Sequence, residues 1–223
     1  YNDIPALQAA IEADSNIVAV LVEPIQGEGG VNIPAGDYLN QIRTLCDQHN
    51  LLMMLDEIQT GIGRTGRFLA CQHNGILPDG CSLAKALGSG VPIGACMAHG
   101  KAAEVLTAGN HGSTFGGNPL ACSAALAVLD TLSTSNLIAD AERKGQAISD
   151  GIRQGVDGNP HVVDIRHKGL MIGIELDQPC AALVGKALEK GLVINVTADS
   201  TIRLLPPLLI DDEQIALLTS TLS

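Results

Sequence analysis

The sequence predicts an α/β fold with a parallel sheet, followed by a smaller α+β part, and three observations carry that expectation. Two continuous apolar runs, residues 17–22 and 51–55, each end in an acidic residue, as expected for strands buried on both faces of a parallel sheet. Between them, residues 37–49 repeat apolar side chains at helical spacing, with Tyr38, Ile42 and Leu45 on one side. Strand, helix and strand at this spacing make a βαβ unit with a right-handed crossover. Past the turn-forming cluster at 155–160 the pattern changes to short strands mixed with helices, which sets a boundary between a large domain at 1–157 and a small one at 158–223.

The elements follow in order. Residues 4–13 form an amphipathic helix with Asp3 as its cap and Pro5 in the first turn. The strand at 17–22 runs into Glu23 and a glycine-rich loop at 26–30; the strand at 51–55 runs into Asp56, Glu57 and a second glycine-dense loop at 61–66. Short apolar segments at 81–84 and 93–98 come next. Residues 119–132, rich in Ala and Leu, read as a buried helix, and 137–156 as a longer, more charged one. The second part has strands at 162–166, 170–176, 193–196 and 202–205, a helix at 181–190, and a last helix from 211 to 222 capped by Asp211 or Asp212.

Composition narrows the function classes. Aromatic residues are only 2% of the chain, so the core has to be built from Ala, Leu, Ile and Val. A net charge of −11 with 13 Lys and Arg argues against a nucleic-acid surface. No apolar run is long enough to span a membrane. The six cysteines, none in a Cys-x-x-Cys pair, mostly sit in apolar stretches and read as small buried hydrophobes of a reducing cytoplasm. The six histidines lack ligand spacing, so no metal is indicated.

Several residues could carry chemistry. Glu23 and Asp56 stand at the carboxyl ends of parallel strands, where such sheets bind ligands, although strand-end acids also cap loops. Lys85 follows an apolar segment and precedes a glycine turn, an arrangement that suits a partly desolvated amine nucleophile; a surface lysine is the plain alternative. None of the glycine-rich loops has a nucleotide fingerprint. The Gly112–Pro119 stretch sets Ser113 and Thr114 beside glycines at a helix start, where hydroxyls bind phosphate or simply cap a loop.

Five stretches taken together resemble the class III, fold-type-I aminotransferases, above all the acetylornithine and succinylornithine group. They are Val-Glu-Pro-Ile-Gln-Gly-Glu-Gly-Gly from Val22, Leu-Asp-Glu-Ile-Gln-Thr-Gly-Ile-Gly-Arg-Thr-Gly from Leu55, Ser-Leu-Ala-Lys-Ala-Leu-Gly from Ser82, His-Gly-Ser-Thr-Phe-Gly-Gly-Asn-Pro-Leu from His111 and Ile-Arg-Leu-Leu-Pro-Pro from Ile202. They occur in the family's order over the whole chain.

The resemblance implies the pyridoxal-phosphate-dependent transferase fold of type I, with Lys85 holding the cofactor as a Schiff base. Asp56 would pair with the pyridinium nitrogen, Gln59 with the phenolic oxygen, and Ser113 and Thr114 with the phosphate, Thr114 across a homodimer interface. Arg203 would grip a substrate carboxylate, Glu28 would pair with Arg203 or release it, and Glu23 would have no more than a structural part. The implied reaction moves the amino group of N-acetylornithine to 2-oxoglutarate by a ping-pong route in cytoplasmic arginine biosynthesis. Succinylornithine, ornithine, 4-aminobutyrate and glutamate-semialdehyde enzymes are alternatives within the fold. Family members also carry a long portion ahead of the point matching Tyr1, so the sequence reads as a C-terminal fragment. On that reading it has little turnover alone, or is an inert piece keeping only a dimer surface.

Overall fold

A computed structural model describes all 223 residues, which gather into two compact units interleaved along the chain. The first unit holds residues 1–24, 34–62 and 69–135; the second holds 25–33, 63–68 and 136–223. This grouping differs from a single cut at 157. Residues 137–155 belong with the C-terminal strands because the apolar side of that helix closes their core.

In the first unit, α1 (Ile4–Ala13) starts at Asp3, whose carboxylate accepts from the Ala6 amide at 2.9 Å. It leads into β1 (Ala19–Val22), α2 (Tyr38–Gln48), β2 (Leu52–Asp56), β3 (Gly80–Leu83) and β4 (Ala95–Ala98). The sheet order is β1-β2-β3-β4; the first three strands are parallel and β4 is an antiparallel edge. Alternation along β2 sends Met53 and Leu55 into a core with Tyr38, Leu39, Ile42, Leu45 and Cys46 of α2 and with Ile11 of α1. Asp79 ties α2 to the sheet, since its Oδ2 takes both Arg43 Nη1 and the Met53 amide at 2.7 Å.

Two expectations fail here for the same reason. Val20 and Val22 pack on the core while Leu21 between them is exposed, so β1 is covered on one face only. The helix α3 (Pro119–Thr134), capped by Asn118 at the Ala121 amide, buries Ala121, Ala125 and Leu132 but leaves Leu120 and Leu126 in solvent. A second packing layer is absent over both surfaces.

The second unit contains α4 (Leu137–Gly155), β5 (Val162–Lys168), β6 (Met171–Leu176), α5 (Ala182–Glu189), β7 (Asn195–Thr197), β8 (Thr201–Leu204) and α6 (Asp212–Leu222). Its strands form an antiparallel sheet in the order β5-β6-β8-β7. One face, with Ile165, Ile172, Ile174, Ile202 and Leu204, packs against Ile148 and Ile152 of α4, Ala187 of α5, and Ile215 and Leu218 of α6. Full burial of a side chain such as Ile148 or Ile172 is worth roughly 2 kcal/mol. Asp211 and Gln214 close a reciprocal capping box at the start of α6. The opposite face carries the 25–33 segment, whose Ile25 and Val31 pack on Met171. No single helix is long and apolar enough to cross a membrane.

Two predictions follow from this packing. A Cβ on Gly145 of α4 would lie 1.9 Å from the Gly169 carbonyl oxygen, so Gly145→Ala should cost about 1–3 kcal/mol in a urea unfolding experiment. The thiols separate by burial: Cys46, Cys71, Cys81 and Cys180 are buried, while Cys96 is exposed, contrary to expectation for its apolar stretch. Burial pushes Cys46 up to about 11, and burial followed by the Glu57 charge pushes Cys71 and Cys81 up to about 12. At pH 8 these three are thiolate at roughly a thousandth or less. Iodoacetamide should therefore label Cys96 first, and peptide mapping should find these three protected until the chain unfolds. The folded chain keeps thiol protons that the unfolded one releases, so this contribution to stability falls as pH rises past the unfolded thiol's 9.0.

Candidate functional site

Strand alternation places the first set of candidates. Met53 and Leu55 face the core of the first unit, so Asp56 faces the other side of the sheet, half-buried, at the carboxyl end of β2. Its Oδ1 accepts from the Ile58 amide at 3.0 Å and from Ser82 Oγ at 3.1 Å, while its Oδ2 accepts no hydrogen bond. Ser82 is the register partner of Asp56 on β3. Lys85 lies three residues further on, where β3 gives way to a short 3-10 turn, so carboxylate and amine stand at the same end of neighbouring parallel strands.

Lys85 is held at φ +48°, a left-handed conformation that costs a non-glycine residue free energy. Its amine makes no hydrogen bond or ion pair. The side chain is exposed in this chain rather than partly desolvated as the sequence suggested.

Glu57 continues the alternation into the core and is 1% exposed. Its carboxylate accepts from Thr60 Oγ1 at 2.5 Å and from the Ala70 and Cys71 amides at 2.9 Å each. This buried acid pins the turn that carries Gln59 directly behind Asp56. Gly61 leaves room for the turn, since a Cβ there would lie 2.8 Å from the Glu57 carbonyl oxygen. Glu23 is half-buried after β1.

Ser113 and Thr114 are exposed on the loop that leads into α3, and α3 packs against the 3-10 turn beginning at Lys85. Ser113 Oγ is used locally, accepting from the Gly116 amide at 3.0 Å. Neither hydroxyl is bonded to Asp56 or Lys85.

The second set lies in the other unit. Arg203 of β8 is 9% exposed and pairs through Nη1 with Glu28 Oε1 at 2.6 Å; its Nη2 donates to Asn195 Oδ1 at 3.2 Å. The Glu28 side chain is 70% exposed, so the arginine is fixed in the sheet while its acid partner is open to solvent. Arg64, within the Gly-Ile-Gly-Arg-Thr-Gly stretch, donates to the carbonyls of Leu170 and Pro206 at 3.1 and 2.5 Å. Burial brings its pKa down to about 10.

Sequence reasoning missed four contributors: Ser82, Glu57, Asn195 and Arg166, the last of which donates to the Gly30 and Val31 carbonyls. The period-2 alternation of β2 could have assigned Asp56 and Glu57 to opposite faces. Nothing local signalled the Arg166 contacts, which span more than 130 residues of chain.

The chain is 48% identical to acetylornithine aminotransferase 1 of Bordetella bronchiseptica over 96% of its own length and 54% of the relative's. The solved ornithine aminotransferase of Toxoplasma gondii ME49 superposes with a TM-score of 0.94 at 42% identity, covering all of this chain and 54% of that one. The N-acetylornithine aminotransferase of Stenotrophomonas maltophilia K279a gives 0.90 at 38% identity, covering all of this chain and 59% of that one. The chain thus spans about half the length of the curated relatives it matches. Residues 2–223 match the class-III aminotransferase family model, and the chain belongs to that family.

Proposed function

We propose that this chain carries the lysine, the ring-nitrogen carboxylate and the carboxylate-binding arginine of a pyridoxal-phosphate-dependent aminotransferase that moves the amino group of N-acetylornithine to 2-oxoglutarate. The observation that carries the reading is the placement of Asp56 and Lys85 at the same end of adjacent parallel strands, in a chain of this family. The residues fit the cofactor. One oxygen of Asp56 is fixed by two donors and the other is open to a cationic ring N–H, while the Lys85 amine is unpaired and able to join an aldehyde. When bound, pyridoxal phosphate supplies an electron sink for the carbon that loses its proton.

The protein's own groups do the rest. Asp56 keeps the ring nitrogen protonated, and Ser82 with the Ile58 amide keeps Asp56 aimed. Lys85 Nζ anchors the cofactor and moves the proton from the amino-bearing carbon. Gln59 orients the ring's phenolic oxygen. Ser113 and Thr114 hold the phosphate, Thr114 that of the partner subunit in a homodimer. Arg203 forms a two-pronged pair with a substrate carboxylate, and Glu28 occupies it when no such carboxylate is present. Division of the whole protein into a large cofactor domain and a small C-terminal one, a cytoplasmic site of action and a role in arginine biosynthesis belong to the same proposal.

The acyl-ornithine donor is favoured by the 48% identity to an acetylornithine enzyme. Ornithine is the second reading, favoured by the likeness to the Toxoplasma ornithine enzyme. Borohydride reduction in the presence of pyridoxal phosphate, followed by peptide mass mapping, should leave a pyridoxyl group on Lys85. In the whole protein Lys85→Ala should remove both that label and transamination, and labelling elsewhere would sink the assignment. In a substrate panel on the whole protein N-acetylornithine should turn over faster than ornithine or 4-aminobutyrate; the reverse order would replace the donor and keep the lysine.

A further inference from the structure

The polar face of the second sheet holds a row of register partners. Arg166 on β5 pairs with Gly173 on β6, Gly173 with Arg203 on β8, and Arg203 with Asn195 on β7. Directly paired residues of an antiparallel sheet point to one face, so two arginines flank a position with no side chain. The 25–33 segment fills that gap. A Cβ on Gly173 would lie 2.9 Å from Val31 Cβ and 3.5 Å from the Gly30 carbonyl oxygen.

Arg166 grips the segment from one side. Its Nε donates to the Val31 carbonyl at 2.8 Å and its Nη2 to the Gly30 carbonyl at 2.6 Å. Its Nη1 is taken by Asp164 at 2.9 Å and Glu175 at 2.6 Å. Burial alone would weaken this charge, but the two carboxylates outweigh it and hold the guanidinium protonated more firmly than usual. All three nitrogens are engaged, which leaves a single N–H on Nη2 without a named acceptor. From the other side, Thr197 Oγ1 donates to the backbone carbonyl of Glu28 itself. Val31, β-branched and fully buried, is held at φ +55°, a conformation that persists only where the surroundings impose it.

We infer that Arg166, Gly173 and Thr197 are positioning residues for the Glu28–Arg203 pair: they immobilise the Glu28 backbone so that only its side chain moves when Arg203 takes a carboxylate. The carboxylate part rests on the proposed function; the anchoring of the pair does not. A pre-set backbone keeps the ion pair formed between encounters and lets one side-chain rotation release it. With a loose segment, Glu28 would compete poorly for Arg203, and the arginine would stand open to any carboxylate.

The test uses the full chain labelled with 15N-arginine, and reads hydrogen exchange at the Arg203 guanidinium, assigned with Arg203→Lys. Glu28→Gln sets the rate for the broken pair. Thr197→Val, Arg166→Lys and Gly173→Ala should each speed exchange toward that limit, by roughly two- to tenfold for the lost hydroxyl. Thr197→Ser should return the wild-type rate. Wild-type exchange in Thr197→Val and in every other folded variant overturns the inference. Thr197→Val is nearly isosteric and keeps the test open if the other two fail to fold. Glutarate titration of the same proteins checks the carboxylate reading separately. If Glu28→Gln and Arg203→Lys leave glutarate affinity unchanged, that reading fails, while the exchange rates still decide the anchoring.

Discussion

A β-strand sends successive side chains to opposite faces, and both sheets of this chain are organised by that constraint. In β2 it sends Met53 and Leu55 into the helical layer and leaves Asp56 on the other side. In the second sheet it turns Ile165, Ile172, Ile174, Ile202 and Leu204 toward α4, α5 and α6, and gathers Arg166, Gly173 and Arg203 on the face left over. A one-residue slip in β2, β5 or β8 would drive a charge into the core and bring an apolar side chain out, so register and chemistry are set together.

Charges near the cores are handled in three ways. Glu57 is buried and its carboxylate is satisfied by a hydroxyl and two backbone amides, so it acts as a structural bolt. Arg64 has carbonyl oxygens as its partners, and burial weakens its proton affinity. Arg166 combines carbonyls with two carboxylates and is the best satisfied of the three. Against these, the open oxygen of Asp56 and the unpaired amine of Lys85 stand out. Polar groups that a fold leaves without partners, at the end of a parallel sheet, are where a ligand is to be sought.

Much of this was legible from local pattern. Continuous apolar runs ending in acids gave the βαβ core, Asp3 and the Asp211–Asp212 pair marked helix starts by their capping chemistry, and motif likeness proposed Asp56, Lys85, Glu28 and Arg203 as site candidates. What stayed hidden depends on distant contacts. The apolar run at 119–132 does not say how much of a helix will find something to pack on, and α3 finds little. The turn cluster at 155–160 is a real turn, but α4 before it packs with the strands after it, because helix allegiance is decided by apolar surface and not by chain order. The landing of residues 25–33 on the second sheet has no local signature at all.

That landing bears on how the chain is made. Glu28 and the Thr197 hydroxyl that holds it are 169 residues apart, and the whole β5-to-β8 region must exist before the segment has a surface to lie on. At ribosomal elongation of about 5–20 residues per second, the segment waits on the order of ten to thirty seconds after its own synthesis. Through that interval Ile25 and Val31, both buried at the end, are exposed on nascent chain. The second unit is therefore closed late, by a contact of high sequence separation.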